Sequence, residues 1–121
     1  MKKVTISSLV GVGIEFEGSL NCKSDMRVDG LVRGTVRGDA GVALIVGPEG
    51  LLDGDIKLDG LIVSGRVTGD VRVRHLEIRD GGVVEGKIAY EKLEVFNGGR
   101  LLGKSVDFDH ELKSDDNLDS K

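Results

Sequence analysis

Leu61-Ile62-Val63-Ser64-Gly65-Arg66-Val67-Thr68-Gly69-Asp70-Val71 carries the two signals that decide the fold. The first is a marker pair of apolar residues one apart, Leu61 and Val63. The second is a glycine with an apolar residue two positions away on each side, Val67-Thr68-Gly69-Asp70-Val71. Both recur in each direction along the chain. The glycine element returns as Phe16-Glu17-Gly18-Ser19-Leu20, Val32-Arg33-Gly34-Thr35-Val36, Leu52-Asp53-Gly54-Asp55-Ile56 and Val84-Glu85-Gly86-Lys87-Ile88, with a degenerate copy at Leu101-Leu102-Gly103-Lys104-Ser105. The marker returns as Met26/Val28, Leu44/Val46, Leu76/Ile78 and Leu93/Val95. The glycines at 18, 34, 54, 69, 86 and 103 lie 16, 20, 15, 17 and 17 residues apart. A short period with small variations marks a solenoid.

Alternation with period two inside each unit predicts short strands with one buried face. β-branched residues and a glycine every few positions oppose helix. One unit then forms one turn of a β-helix whose neighbouring turns stack as parallel strands ~4.8 Å apart, giving a rod roughly 30 Å long. A left-handed β-helix requires a strict six-residue repeat. Here positions 63, 67 and 71 are four apart and unit length varies, which favours a right-handed coil. The expectation is an all-β chain, a single right-handed parallel β-helix of about six turns with short flexible tails. The apolar residues flanking each glycine and both members of each marker pair, Val95 included, are predicted to point inward, together with Val73. The glycines are expected at corners that need positive φ or close stacking. Extra residues in the 20-residue interval fall near 39–43, and Pro48 marks a turn.

Composition agrees. Hydrophobic residues are 39%, nearly all Val, Leu and Ile, while aromatics are 3%, so the core is thin and built of branched side chains. Glycine is 19 of 121 residues but without a three-residue period, and there is one proline, which excludes collagen. Residues 107–121 hold six acids and two bases, a net −4 that equals the charge of the whole chain. Residues 1–106 are therefore balanced, with no basic footprint for nucleic acid and little charge to oppose association. Cys22 is the lone cysteine and forms no internal disulfide. The division expected is an N-terminal arm at 1–11, the β-helix at 12–106 and an acidic, disordered tail at 107–121. No apolar run is long enough for a membrane helix. Lys2, Lys3, Ile6, Leu9 and Val10 are a weak candidate for peripheral contact with anionic lipid.

The stretches 26–34, 46–56 and 61–71 resemble the bactofilins, bacterial polymer-forming cytoskeletal proteins, and the resemblance covers roughly residues 12–106. It implies a right-handed β-helix between variable tails, polymerisation without nucleotide, and a place at the inner face of the cytoplasmic membrane reached through an N-terminal segment. Cytoplasmic location, peripheral at the inner membrane, follows as an expectation. So do a homopolymer and cell-wall enzymes as partners.

Other motifs are weighed against the repeat. Gly98-Gly99-Arg100-Leu101-Leu102-Gly103-Lys104-Ser105 spells the phosphate-loop pattern, which needs a helix to follow it. Leu101 and Gly103 are in register with Val84/Gly86, so the repeat accounts for them without phosphate. Asp107, Asp109 and Glu111 alternate as in a calcium loop but lack its central glycine and closing glutamate. His75 alone, without a hexapeptide repeat, is weak support for an acyltransferase. Asp53, Asp70 and Glu85 occupy corresponding unit positions and would line one side, as in polysaccharide-active β-helices, but Arg33 and Lys87 break the row. No catalytic, cofactor or metal residues are assigned.

The ends of a β-helix expose unpaired strands and an open core. Here both are apolar. Ile14, Phe16, Leu101, Leu102, Val106 and Phe108 are the candidate polymer contacts. Filament formation by end-to-end contact is the expected function, and the competing reading is a small β-helical binding module for a partner protein or polysaccharide.

Overall fold

A computed structural model of the chain describes residues 8–107. Nine strands follow in order: β1 (Ser8–Val10), β2 (Glu15–Cys22), β3 (Met26–Val28), β4 (Leu31–Gly38), β5 (Ala43–Val46), β6 (Leu51–Val63), β7 (Arg66–Ile78), β8 (Val83–Val95) and β9 (Arg100–Asp107). Every pairing between them is parallel. Two ladders run side by side. One stacks the marker segments, from β1 through β3 and β5 into the C-terminal parts of β6, β7 and β8. The other stacks the glycine segments, from β2 through β4 into the N-terminal parts of β6, β7 and β8 and on to β9. The chain is a parallel β-solenoid, and its six glycine segments are separated by five rung steps. Residues 1–7 and 108–121 lie outside the described residues, and with them the expectations for Lys2, Lys3, Ile6, Phe108 and most of the acidic tail. Ser8–Val10, placed in the arm on sequence grounds, forms the first strand.

Register follows the repeat residue by residue. Gly18, Gly34, Gly54, Gly69, Gly86 and Gly103 are successive partners in one column. Their φ values run from 108° to 140°, a region that L side chains rarely enter. From Gly34 onward, a Cβ on any of them would meet the carbonyl of the preceding glycine well inside contact distance. The glycines lie within the strands rather than in the turns between them. They let the backbone of one rung settle against the next while the apolar residues on both sides face the core.

Turn lengths account for the irregular period. The turns entering the glycine strands contain four, two, four, two, four and four residues, at 11–14, 29–30, 47–50, 64–65, 79–82 and 96–99. Gly30 and Gly65 occupy the two-residue turns, and a Cβ there would strike the carbonyls of Gly11 and Ile14, or of Gly47 and Gly50. Each short turn thus nests on the longer one before it. The 20-residue interval has three extra residues at 39–42 and two more at the Pro48 turn, when compared with the 15-residue interval that follows. The insertion is tied down on both sides: Gly41 N donates to Asp59 Oδ2 at 2.6 Å, and Ala43 N to Asp25 Oδ1 at 2.9 Å.

The core is one column of aliphatic side chains. Val28, Val32, Leu44, Val46, Leu52, Leu61, Val67, Leu76, Ile78, Val84 and Ile88 are at most 1% exposed. At the ends the inward prediction needs correcting. Val95 is 47% exposed, and Phe16, Leu20, Leu93 and Leu101 are only half-buried against the core. Each belongs to an outermost rung and has neighbours on one side only. Four buried hydrophobic residues were not predicted: Cys22, Val42, Leu58 and Ala89. Leu58 continues the alternation past Ile56, and Gly38 leaves it room: a Cβ on Gly38 would lie 2.6 Å from Leu58 Cδ2.

Two substitutions test this register. Val67→Asp buries an unpaired carboxylate at a cost of several kcal/mol, whereas Thr68→Lys places a cation in the row between Asp53 and Glu85. Thermal melts should show a large loss for the first and little change for the second; equal losses would refute the register. For the glycine column, Gly69→Ala should lower the melting temperature more than the ~1–3 kcal/mol of φ strain alone would. Gly81→Ala, also at positive φ but with its nearest neighbour 3.9 Å away, should show only that strain.

Candidate assembly surfaces

Strand pairing stops at both ends of the rod. β1 and β2 pair only with β3 and β4. β9 pairs only with β8, and Leu93–Val95 pair only with β7. Among the described residues, one edge of each of these segments carries no partner. Such an edge is a ready template for another chain.

The exposed apolar side chains are found in the same places. Val12, Ile14, Val95, Phe96 and Leu102 are the large hydrophobics exposed to solvent, and all five belong to the first or last turn. Val10, Phe16 and Leu20 at one end and Leu93 and Leu101 at the other are half-buried and packed on the core. Of the residues singled out from sequence, Ile14 and Leu102 are exposed, Phe16 and Leu101 form the half-covered ends of the core, and Val106 lies in β9. Leu9 lies in β1, while Val10 is engaged by the core.

Val12 and Phe96 were missed, yet the repeat contains their signal. In the four-residue turns, the position of Val12 is Pro48, Asp80 and Asn97 in the other copies, and that of Ile14 is Gly50, Gly82 and Gly99. The residue after the marker pair is Gly11, Asp29, Gly47, Ser64 and Arg79 before it becomes Phe96. Val12, Ile14 and Phe96 thus stand in the first and last turns where the inner turns carry polar residues, glycine or Pro48. The Arg79 guanidinium lies 5.9 Å from the centroid of the Phe96 ring, so one face of that ring is partly occupied.

The sides of the rod are polar and cross-linked between rungs. Arg33 lies between Glu17 at 3.6 Å and Asp53 at 3.8 Å, and Arg74 between Asp59 at 3.5 Å and Glu91 at 3.0 Å. Arg66 Nη2 donates to Glu85 Oε1 at 2.9 Å. Exposed pairs of this kind contribute ~0–1 kcal/mol each, but opposite signs across a rung avoid repulsion. The suggested carboxylate line does not form. Asp53 and Glu85 flank Thr68 in one row, whereas Asp70 stands in another between Asp55 and Lys87. Thr68 Oγ1 donates to Asp53 Oδ1 at 2.8 Å. These acids are spread over two rows and three rungs, with basic partners among them.

The phosphate-loop spelling also dissolves. Gly98 and Gly99 close a turn, and Arg100–Asp107 run as strand β9, with Gly103 stacked on Gly86 and Lys104 beside Lys87. The loop and helix N-terminus that would cradle phosphates are replaced by a β-ladder. Cys22 is buried, with its Sγ 3.6 Å from Met26 Sδ. Burial pushes its thiol pKa up, so it is held as a thiol in the core rather than as a nucleophile. No helix among the described residues is long and apolar enough to cross a membrane.

Comparison with protein families places this architecture. The family described as Bactofilin, polymer-forming cytoskeletal, matches residues 8–106. The chain belongs to the bactofilin family. Searches of curated proteins and of solved structures each return no match. The bactofilin match begins at the first residue of β1 and ends one residue before the end of β9, so it coincides with the stacked rungs.

Because Gly103 and Lys104 belong to a rung, magnesium ATP or GTP should produce no saturable heat in isothermal titration. A micromolar site abolished by Lys104→Ala would refute this.

Proposed function

We propose that this bactofilin assembles end to end, through its terminal rungs, into nucleotide-independent filaments that scaffold cell-envelope or cell-shape processes. One observation carries the assembly step: every exposed large hydrophobic among the described residues lies in the first or last turn, beside strand edges without partners. The polar, charge-balanced flanks favour solvent, so the apolar surface that association can remove from water is concentrated at the two ends. Each Å² of it contributes ~25 cal/mol. A subunit with an adhesive surface at each end extends an assembly without closing it. The family's description as polymer-forming and cytoskeletal supports the same reading. Its principal partner is then another copy of itself. A scaffold at the cytoplasmic face of the membrane that recruits cell-wall enzymes is the cellular role we attach to it, on the strength of the family resemblance. Catalysis has no part in this function.

Leu101→Arg and Phe96→Arg test the C-terminal end. Leu101 stacks on Val84 and half-covers the core, and Phe96 is half exposed in the last turn. A solenoid is held by nearest-neighbour rungs, so changes in its outermost turn disturb the rest least. An arginine there is desolvated only when two subunits meet, at ~2–5 kcal/mol per contact. Sedimentation at matched concentration should show the critical concentration raised by orders of magnitude, with circular dichroism unchanged. Folded variants that pellet like the parent protein would place the contact elsewhere, and discrete monomers of the parent in electron micrographs would refute filament assembly.

A further inference from the structure

We propose that His75, Glu77 and Glu94 form a site for a zinc-class divalent cation, which ties the last marker segment of β8 to β7. His75 and Glu77 are alternate residues of β7 and so share its outer face, and Glu94 is the cross-rung partner of Glu77. One donor atom from each lies within 4.8 Å of the other two. His75 Nε2 and Glu94 Oε1 are 3.3 Å apart. Two ligands about 2.0–2.1 Å from a tetrahedral zinc stand roughly 3.3–3.4 Å from each other, so imidazole and carboxylate already have ligand spacing. Glu77 completes the trio by a small side-chain movement, and water fills the fourth position.

The trio brings two carboxylates to one imidazole. The register sets Glu77 and Glu94 opposite each other across a rung, a like-charge pairing that costs some stability and that a cation between them relieves. Arg79 Nε donates to Glu77 Oε2 at 2.6 Å, which fixes that carboxylate and leaves its second oxygen available, as the outer partners of metal ligands do. Arg79, bonded to Glu77, and Lys92, the cross-rung partner of His75, are the neighbouring bases that oppose a cation. The His75 and Glu94 side chains are about half exposed, at 49% and 57%, so an ion reaches them without opening the fold. A nitrogen donor with two carboxylates suits zinc better than magnesium or calcium, which take oxygen ligands. The site lies beside the C-terminal assembly surface, since Glu94 sits between Leu93 and Val95 and Arg79 faces Phe96. It braces Leu93–Val95, which pair with β7 alone.

Isothermal titration of the chelator-stripped full chain with zinc sulfate tests it. One zinc per chain is expected, with affinity lowered at least tenfold by His75→Ala and by Glu94→Gln, and unchanged by His110→Ala. Circular dichroism confirms that each variant is folded, and magnesium should give no comparable heat. Absence of saturable zinc binding, binding that survives His75→Ala, or binding lost in His110→Ala would each overturn the proposal.

Discussion

The close approach of one glycine backbone to the next governs this molecule. From Gly34 onward, each rung sets a glycine at positive φ where a Cβ would collide with the carbonyl of the glycine before it. The α-hydrogen takes that place, facing the carbonyl as in the C–H···O contacts common between strands. Because this column tolerates no side chain, it admits no slip. A shift of one residue would drive a side chain into the neighbouring backbone and turn every core residue outward. The apolar columns on either side of it are thereby aligned, and stacked valines and leucines fill the interior without aromatic residues.

A rule that depends on the neighbouring rung fails where the neighbour is missing. The first and last turns keep the sequence pattern of the interior but lose half of its consequence. Phe16, Leu20, Leu93 and Leu101 are half-covered rather than buried, and Val95 is open to solvent. Local departures from the repeat add to this. Val12 and Ile14 at one end and Phe96 at the other replace the polar residues, glycines and Pro48 of inner turns. Self-association is thus the natural completion of a ladder whose every interior step is already made by the same contacts. The family's polymer-forming character is physically continuous with its fold.

The sides of the rod follow a separate logic. Residues facing outward have only their partners one rung above and below; some rows alternate in sign, while others, such as Arg37-Lys57-Arg72 and Asp55-Asp70, keep one sign. Arg33, Arg66 and Arg74 each meet an acid across a rung. This keeps the flanks soluble and leaves them little force for association. Glu77 opposite Glu94 is one of these like-charge pairs, and it stands beside an imidazole.

The sequence alone determined the strands, their parallel stacking and most of the core, because period and side-chain alternation are local properties that stacking repeats rung after rung. It also resolved the phosphate-loop spelling, since Gly103 keeps step with Gly86. It identified both ends as apolar through Ile14, Phe16, Leu101 and Leu102. Only the tertiary structure decided which apolar residues are covered. Burial of Val95 depends on a further marker segment that the described rungs do not supply, and burial of Leu58 on the space left by Gly38 in another strand. The division of the carboxylates at 53, 70 and 85 into two rows, and the meeting of His75 and Glu77 with Glu94, likewise required the register. Members of these groups on neighbouring rungs are 15 to 19 positions apart in the chain, and their neighbourhood depends on the length of each intervening turn.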